Sequence, residues 1–468
     1  MSRPLWTASE IVAATGGKLA GDFAATGVSI DTRSLEPGDL FVALTAGRDG
    51  HEFVAQAMAK GASGVLASRP VDAPVVLVDE TQLALEALGV AARERAPARR
   101  GAVTGSVGKT SVTRAIEAGL RLAGPAHASV KSYNNHIGVP LTLARMPAET
   151  ERAVFEVGMN HADEITPLSK MIRPHAAAIT TVGPVHIENF PDGEAGIVRA
   201  KGEIFDGMES GGVAVLNADN AAFEALSARA KAAGLEVWSF GQGPGVQGQL
   251  LGFAAGEGIA TVEAMLFGER VTFPILNTGA HWGLNSLCVL LMLEALDVDR
   301  ATGLAALAEF RPIEGRGAEK TVRIPGGAFT LIDESYNANP LSMIAAFKSL
   351  GARKAPIGGR RIVALTDMLE LGAGSAEFHA GLAPPIAAAE IDLVFCAGPM
   401  MKSLWDALPQ NRRGGYAMTA AELAPQVASA VGPGDLVMVK GSNGSRASAI
   451  AAALATLDAA GLPGEGSA

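Results

Sequence analysis

A chain of 468 residues is too long for one ordinary hydrophobic core, and 48% hydrophobic against 18% charged residues provides material for two or three. The formal net charge of −10 excludes a general attraction for nucleic acid or an anionic membrane, so an anionic ligand has to be held by local groups. Cys288 and Cys396, the two cysteines, each lie in an apolar run, which excludes a disulfide framework or a cysteine metal centre and fits a reducing compartment. The N-terminus lacks the apolar stretch of a signal peptide, and the longest apolar run, Leu287 to Leu293, is far short of the ~20 residues that span a bilayer. No membrane insertion and a cytoplasmic location are therefore expected.

From Met1 to about Ala98 short strands, including Leu40 to Leu44 and Val75 to Val78, alternate with helical stretches, and the charged run Arg93 to Arg100 reads as the coating of a linker. Residues 1–98 are thus expected to form a small α/β domain. Residues 99–312 show near-continuous apolar strands at Ala153 to Val157, Ala176 to Val182 and Val213 to Leu216, as parallel strands buried on both faces should be. The alternation restarts in residues 313–468, with strands at Phe329 to Ile332, Ile362 to Leu365, Leu393 to Cys396 and Leu436 to Val439. Asn339 followed by Pro340 predicts a capped helix start, Ala447 to Ala460 a packed helix, and Gly461 to Ala468 a frayed tail. The expected fold class is α/β in three domains, a small N-terminal α/β domain, a central P-loop ATPase-like parallel sheet and a C-terminal Rossmann-like domain.

The strongest local signal is T-G-S-V-G-K-T, comprising Thr104, Gly105, Ser106, Val107, Gly108, Lys109 and Thr110 and followed by Ser111. It comes after a short apolar strand and opens a helix whose apolar stripe runs Val112, Ile116 and Leu120 until Gly124 and Pro125 stop it. Gly105 and Gly108 let the backbone bend and turn N–H groups toward an anion at the positive end of the helix dipole. Lys109 then sits on the β- and γ-phosphates of a nucleotide, and the Thr110 hydroxyl is placed to ligate Mg²⁺. The strict phosphate-loop pattern has glycine where this chain has Val103.

Three polar residues stand where burial is expected. Glu156 interrupts an apolar strand, where an unpaired carboxylate is costly, so it should meet a cation, with Mg²⁺ the natural candidate. Lys201 lies on the stripe of Ile197, Ile204 and Met208, and taken alone reads more readily as a snorkelling lysine with its head in water. His186 follows Ala176 to Val182, at the carboxyl end of a parallel strand where open α/β sheets bind ligands, although a loop histidine is often structural.

Together these residues resemble the ATP-dependent Mur ligases of bacterial cell-wall precursor synthesis. The resemblance rests on Asp31-Thr32-Arg33, Pro37 to Val42, Asp49-Gly50-His51, the phosphate loop, Asn134-Asn135, Ala200 to Phe205, Gly279 with His281 and Asn285, Glu334 to Pro340, Asp367 to Gly372, and Lys440-Gly441-Ser442. The phosphate loop without its first glycine is the form this family uses. Within the family, the Asp367-Met368-Leu369-Glu370-Leu371-Gly372 segment looks like that of the members that add D-alanyl-D-alanine to UDP-N-acetylmuramoyl-tripeptide through an acyl phosphate. Ligases that add a diamino acid carry an Asp-Asn-Pro-Arg-type motif absent here, folate polyglutamylating ligases lack the Asp31 to Leu44 segment, and a nucleotide switch would not depend on an amine.

The resemblance implies a role for each matching position. Lys109, Glu156, His186 and Lys201 would be catalytic, Lys201 carbamylated, with Thr110 and Glu156 on one Mg²⁺ and His186 and Lys201 on a second. His281 and Asn285 would lie on the adenine side of ATP, and Arg316, Asp333 and Glu334 would reach its phosphates and ribose. Asp31, Thr32 and Arg33 would take the uridine nucleotide, Asn134 and Asn135 the muramoyl peptide, and Asp367, Glu370 and Lys440 the incoming dipeptide. Many relatives carry aspartate at Glu334 and asparagine at Trp282. A monomer that closes around hinges near Arg99 and Pro312 is expected.

Overall fold

The computed structural model describes residues 4–130, 132–256 and 258–459, and the expected frayed tail at Gly461 to Ala468 lies outside the described residues. Three large sheets follow one another along the chain, with two two-stranded ribbons beside the first. The first has five strands in the spatial order Lys18–Ala20, Val75–Leu77, Gly64–Ala67, Asp39–Val42 and Gly27–Ser29, parallel except for its first pair. Trp6, Ile11, Leu40, Leu66, Leu85 and Leu88 fill the core between this sheet and the helix Thr81–Arg95.

The second sheet has nine strands, ordered Ala126–Ala128, Arg152–Glu156, Arg99–Thr104, Ala176–Ile179, Val213–Asn217, Glu236–Gly241, Gly248–Ala255, Ala260–Leu266 and Glu269–Ile275. The first seven are parallel, and the last three form an antiparallel meander at the edge. Its central parallel strands, Arg152–Glu156, Arg99–Thr104, Ala176–Ile179 and Val213–Asn217, are buried on both faces. Helices Lys109–Ala123 and His281–Ala295 pack Ile116, Leu120, Leu287 and Leu291 against one side, while Ile165, Leu168, Ile197 and Ile204 cover the other. After Arg99–Thr104 the chain fills one side of the sheet and then crosses to the other, which makes the carboxyl end of that strand a topological switch point.

The third sheet is ordered Ala318–Ile324, Gly327–Glu334, Leu436–Lys440, Arg361–Thr366, Leu393–Ala397 and Arg413–Ala417, parallel after its first hairpin. Asn339 caps the helix Pro340–Gly351 as the sequence predicts, its side chain accepting from Ser342 N–H. The expected helix at Ala447 to Ala460 runs Ser448–Thr456 and ends in a tighter turn at Leu457–Ala459.

The charged run Arg93 to Arg100 does not coat a linker. Arg93 ends a helix and donates to the Met171 carbonyl at 2.8 Å, and Arg100 opens the phosphate-loop strand, donating to the carbonyls of Ile172 and Ala98 at 2.8 Å each and to Glu209 at 3.1 Å. Both guanidinium groups are buried because carbonyls at strand and helix ends need donors that the local backbone cannot supply. Cys288 and Cys396 are free and buried. Among the described residues no helix is long and apolar enough to cross a membrane.

Candidate active site

The phosphate loop leaves the central sheet at Thr104 and is held by the next strand. Thr180 Oγ1 donates to the Val107 carbonyl at 2.5 Å, and Ser106 Oγ donates to the Gly183 carbonyl at 3.0 Å. Gly105 has φ +147°, and a Cβ there would fall 2.0 Å from Thr180 Oγ1, so this position excludes every side chain. Gly108, at φ +87°, turns the chain into the helix Lys109–Ala123. Lys109 folds back over the loop and donates to the Gly105 carbonyl at 2.8 Å, and burial pulls its pKa below the usual lysine range.

Strand Arg152–Glu156 ends beside the loop with its register pairing Glu156 to Val103. Glu156 is 2% exposed. Its Oε1 accepts from Asn134 Nδ2 at 2.7 Å, while Oε2 is buried without a hydrogen-bond partner among the described residues. Lys201 is 3% exposed in the helix Glu194–Gly202, and no described residue accepts a hydrogen bond from its amine. Burial, then the nearby Lys109 charge, hold its pKa well below the ordinary lysine value. His186 Nδ1 lies 2.8 Å from Glu370 of the third sheet unit, and burial lowers its pKa against the opposing pull of that carboxylate.

Lys109, Glu156 and His186 face a cleft of about 450 Å³ between the carboxyl ends of the second and third sheets. One wall carries Ser106 to Ser111, Asn134, Glu156, His186, His281 and Asn285. The facing wall carries Arg316, Glu334, Tyr336 and Lys440. Glu334 and Lys440 end adjacent parallel strands and pair at 3.0 Å. Burial pushes the Glu334 carboxyl up, but Lys440, His281 and Arg316 outweigh it and leave its pKa below the usual range. Arg316 stacks over the Tyr336 ring at 4.2 Å.

Other sequence candidates sit elsewhere or serve the backbone. Lys201 is close enough to act on His186 electrostatically but does not line the cleft. Asp333 accepts from Ser335 N–H at 3.0 Å and Gly315 N–H at 3.2 Å, fixing the turn before Arg316 rather than facing the cleft. Asn135 Oδ1 accepts from Gly138 N–H at 2.9 Å at the start of the helix Gly138–Ala144. Asp367 is buried and accepts from Met401 N–H at 2.8 Å. Lys440 gives its ammonium to Glu334 and the Asn337 carbonyl, each at 3.0 Å. Asp31, Thr32 and Arg33 lie on the first sheet unit, where Arg33 pairs with Asp31 at 2.6 Å and Thr32 Oγ1 donates to Gln56 at 3.0 Å. The sequence reading missed Ser132, Thr180 and Asn160 in the cleft wall. No motif marks them, since their place depends on residues distant in the chain.

Among the described residues no three or more His, Cys, Asp and Glu side chains form a metal-binding group. The site nevertheless suits a hard cation brought with phosphates, because the orphaned Glu156 oxygen and the Thr110 hydroxyl offer oxygen donors beside the loop.

Family models match the chain over residues 103–293, as a Mur ligase middle domain, and over residues 320–443, as a Mur ligase, glutamate ligase domain. The chain is 36% identical over 411 residues to the UDP-N-acetylmuramoyl-tripeptide–D-alanyl-D-alanine ligase of Escherichia coli, covering 84% of this chain and 86% of that protein. The ligase of the same name from Rickettsia prowazekii is 29% identical, with 94% of this chain and 97% of that protein covered. A crystal structure of MurF from Acinetobacter baumannii superposes with a TM-score of 0.85 at 28% identity, covering 96% of this chain and 98% of that one. With more than half its length matched by the family models, the chain belongs to the Mur ligase family.

Proposed function

We propose that this protein joins D-alanyl-D-alanine to UDP-N-acetylmuramoyl-tripeptide, converting ATP to ADP and phosphate, as a step of peptidoglycan precursor synthesis. The names of the similar ligases support the substrates. The observation that carries the chemistry is the facing of two sets of strand ends across one cleft, with the phosphate loop and Glu156 on one side and Arg316, Glu334 and Lys440 on the other.

A carboxylate is a poor acyl donor. Its oxygen therefore attacks the γ-phosphorus of ATP, the bond to the β-phosphate oxygen breaks, and ADP leaves behind an acyl phosphate. Two anions must approach for this, and Lys109 and Arg316 supply the compensating charge from opposite walls. The dipeptide amine then adds to the acyl carbonyl, loses a proton, and expels phosphate as the amide forms. Water would hydrolyse the acyl phosphate, so apposition of the third unit over the phosphate loop protects the intermediate.

Thr110 and Glu156 would hold one Mg²⁺, and His186 with a carbamylated Lys201 a second. When bound, Mg²⁺ neutralises phosphate charge and polarises the transferring phosphoryl group. Carbamylation suits Lys201 because burial disfavours its charged form and so favours the free amine that reacts. The free amine adds to carbon dioxide and releases one proton, leaving an anionic carbamate oxygen as the ligand. His281 and Asn285 lie on the adenine side in this reading, and Asp31, Thr32 and Arg33 take the uridine nucleotide. The chain divides into a UDP-muramoyl-peptide-binding unit at 1–98, an ATP-binding unit at 99–312 and a ligase unit at 313–468. In this reading it works in the cytoplasm as a monomer.

The test is product analysis by mass spectrometry after offering the protein ATP, the UDP-muramoyl tripeptide, D-alanyl-D-alanine and single amino acids. The expected product is the pentapeptide precursor, formed with one ADP. Formation of a product with a single amino acid instead would overturn the assignment.

A further inference from the structure

Ser132 lies in the loop between the strand Ala126–Ala128 and the helix Gly138–Ala144, and its hydroxyl is the meeting point of three side chains. The Tyr336 hydroxyl reaches Ser132 Oγ at 3.2 Å, Arg316 Nη2 reaches it at 3.5 Å, and Thr110 Oγ1 lies 3.3 Å away. Tyr336 and Arg316 belong to the third sheet unit and are 204 and 184 residues distant in sequence, whereas Thr110 is the last residue of the phosphate-loop motif.

A serine hydroxyl has one proton and two lone pairs. Arg316 has only protons to give, and a tyrosine hydroxyl directed at Ser132 gives its proton as well, so both lone pairs of Ser132 are taken when the third unit is seated. The serine proton then has one remaining neighbour in this group, Thr110 Oγ1. We infer that Ser132 is a positioning residue that couples seating of the third unit to the orientation of the Thr110 hydroxyl.

With the third unit away, Ser132 regains two acceptor sites and Thr110 can donate to it. Seating reverses that hydrogen bond and turns the threonine proton toward the cleft. Stacking of Arg316 on Tyr336 makes the two donors arrive as one rigid pair, which favours a two-state response over a gradual one. The inference rests on the ligase reading for what the cleft holds, but the coupling itself is a property of these four side chains.

The experiment is a double-mutant cycle with Ser132→Ala and Tyr336→Phe, alongside Ser132→Thr, on the full chain. Two quantities are measured, the kcat and KM for ATP in ligation, and the affinity for a non-hydrolysable ATP analogue by calorimetry with Mg²⁺ present. Each single variant is expected to lower kcat and analogue affinity by about three- to tenfold, the range of one neutral hydrogen bond. The double variant is expected to be no worse than either single one, and Ser132→Thr to retain wild-type behaviour because it keeps the hydroxyl. Additive losses, or a Ser132→Ala enzyme with wild-type kcat and affinity, would overturn the coupling. A wild-type protein that forms no amide overturns the ligase reading alone, because the analogue-affinity cycle still decides the coupling.

Discussion

His186 and Glu370 meet across the boundary between the central and third units, imidazole nitrogen to carboxylate oxygen at 2.8 Å, with both residues in left-handed backbone at φ 57° and 62°. Such conformations cost a non-glycine residue of order 1 kcal/mol or more each, so both loops have to be held in shape by the structure around them. Gly372, at φ +62°, closes the same seam, where a Cβ would fall 2.8 Å from Glu188 Cβ. The family resemblance implies a metal for His186 and the dipeptide for Glu370, and the structure adds a direct contact between the two.

With Glu370 62% and His186 24% exposed, the pair contributes less than about 1 kcal/mol to global stability. Glu370→Gln should therefore move the melting temperature by no more than about 3 °C. It should nonetheless enlarge the radius of gyration seen by small-angle X-ray scattering, and Gly372→Ala should do the same by forcing the seam apart. Scattering profiles identical to wild type for both variants would remove the seam from the account of closure.

Lys109 and Lys201 are two buried lysines with different expected fates. Lys109→Ala should reduce ADP release by at least about 100-fold, because the charge meeting the transferring phosphoryl group is lost while the loop keeps its threonine and glycine supports. Lys201→Ala should also lose activity, with partial recovery on adding a small carboxylate. With ¹³C-labelled bicarbonate, the wild-type protein should show a carbamate resonance that is missing from Lys201→Ala. Normal turnover by Lys201→Ala would end the carbamate proposal.

Much of this arrangement could be read from the sequence because parallel strands buried on both faces leave unbroken apolar runs, and because a phosphate loop requires glycines at fixed offsets. Val213 to Leu216 and Ile362 to Leu365 are strands for that reason. The meander at 248–275 was missed, since its alternating buried and exposed residues include glycines and alanines that give little contrast. Arg93 and Arg100 misled because a run of charges ordinarily marks a solvated surface, and nothing local shows that distant carbonyls await them. Asp333, Asn135 and Asp367 have the residue types of ligand-binding groups, and in the structure each also accepts from a backbone N–H, a contact that no local sequence signal marks.

A second link between the central and third units joins Thr278 to Glu319, whose carboxylate also holds Arg353 through two contacts of 2.7 and 2.8 Å. Glu319→Ala leaves the guanidinium and the threonine hydroxyl without their acceptor. Since the pair is partly solvated, the expected loss is about 1–2 kcal/mol, measured by calorimetric unfolding. Glu319→Leu combined with Arg353→Met should recover most of that loss, because apolar replacement of both partners removes the stranded charge. A double variant less stable than Glu319→Ala would mean that the ion pair is itself the source of stability here.

His127 supplies a pH dependence whose sign follows from its surroundings. Its Nε2 lies 2.7 Å from the Thr142 carbonyl, so that nitrogen carries the proton of the neutral ring. Burial lowers its pKa from 6.5 to about 4. As pH falls through 6.5 the unfolded chain takes up a proton that the folded chain refuses until about pH 4, so folded stability declines across that window and stops declining below it. By pH 5 the loss from this one group is about 2 kcal/mol. His175, also lowered to about 4, adds in the same direction, so the total acid sensitivity does not isolate His127. His127→Gln does, because an amide keeps a donor for the Thr142 carbonyl and cannot titrate. Urea unfolding at pH 7 and pH 5 should show a stability loss smaller by about 2 kcal/mol in His127→Gln than in wild type. Equal losses in the two proteins would show that the imidazole is protonated as readily in the folded chain as in the unfolded one.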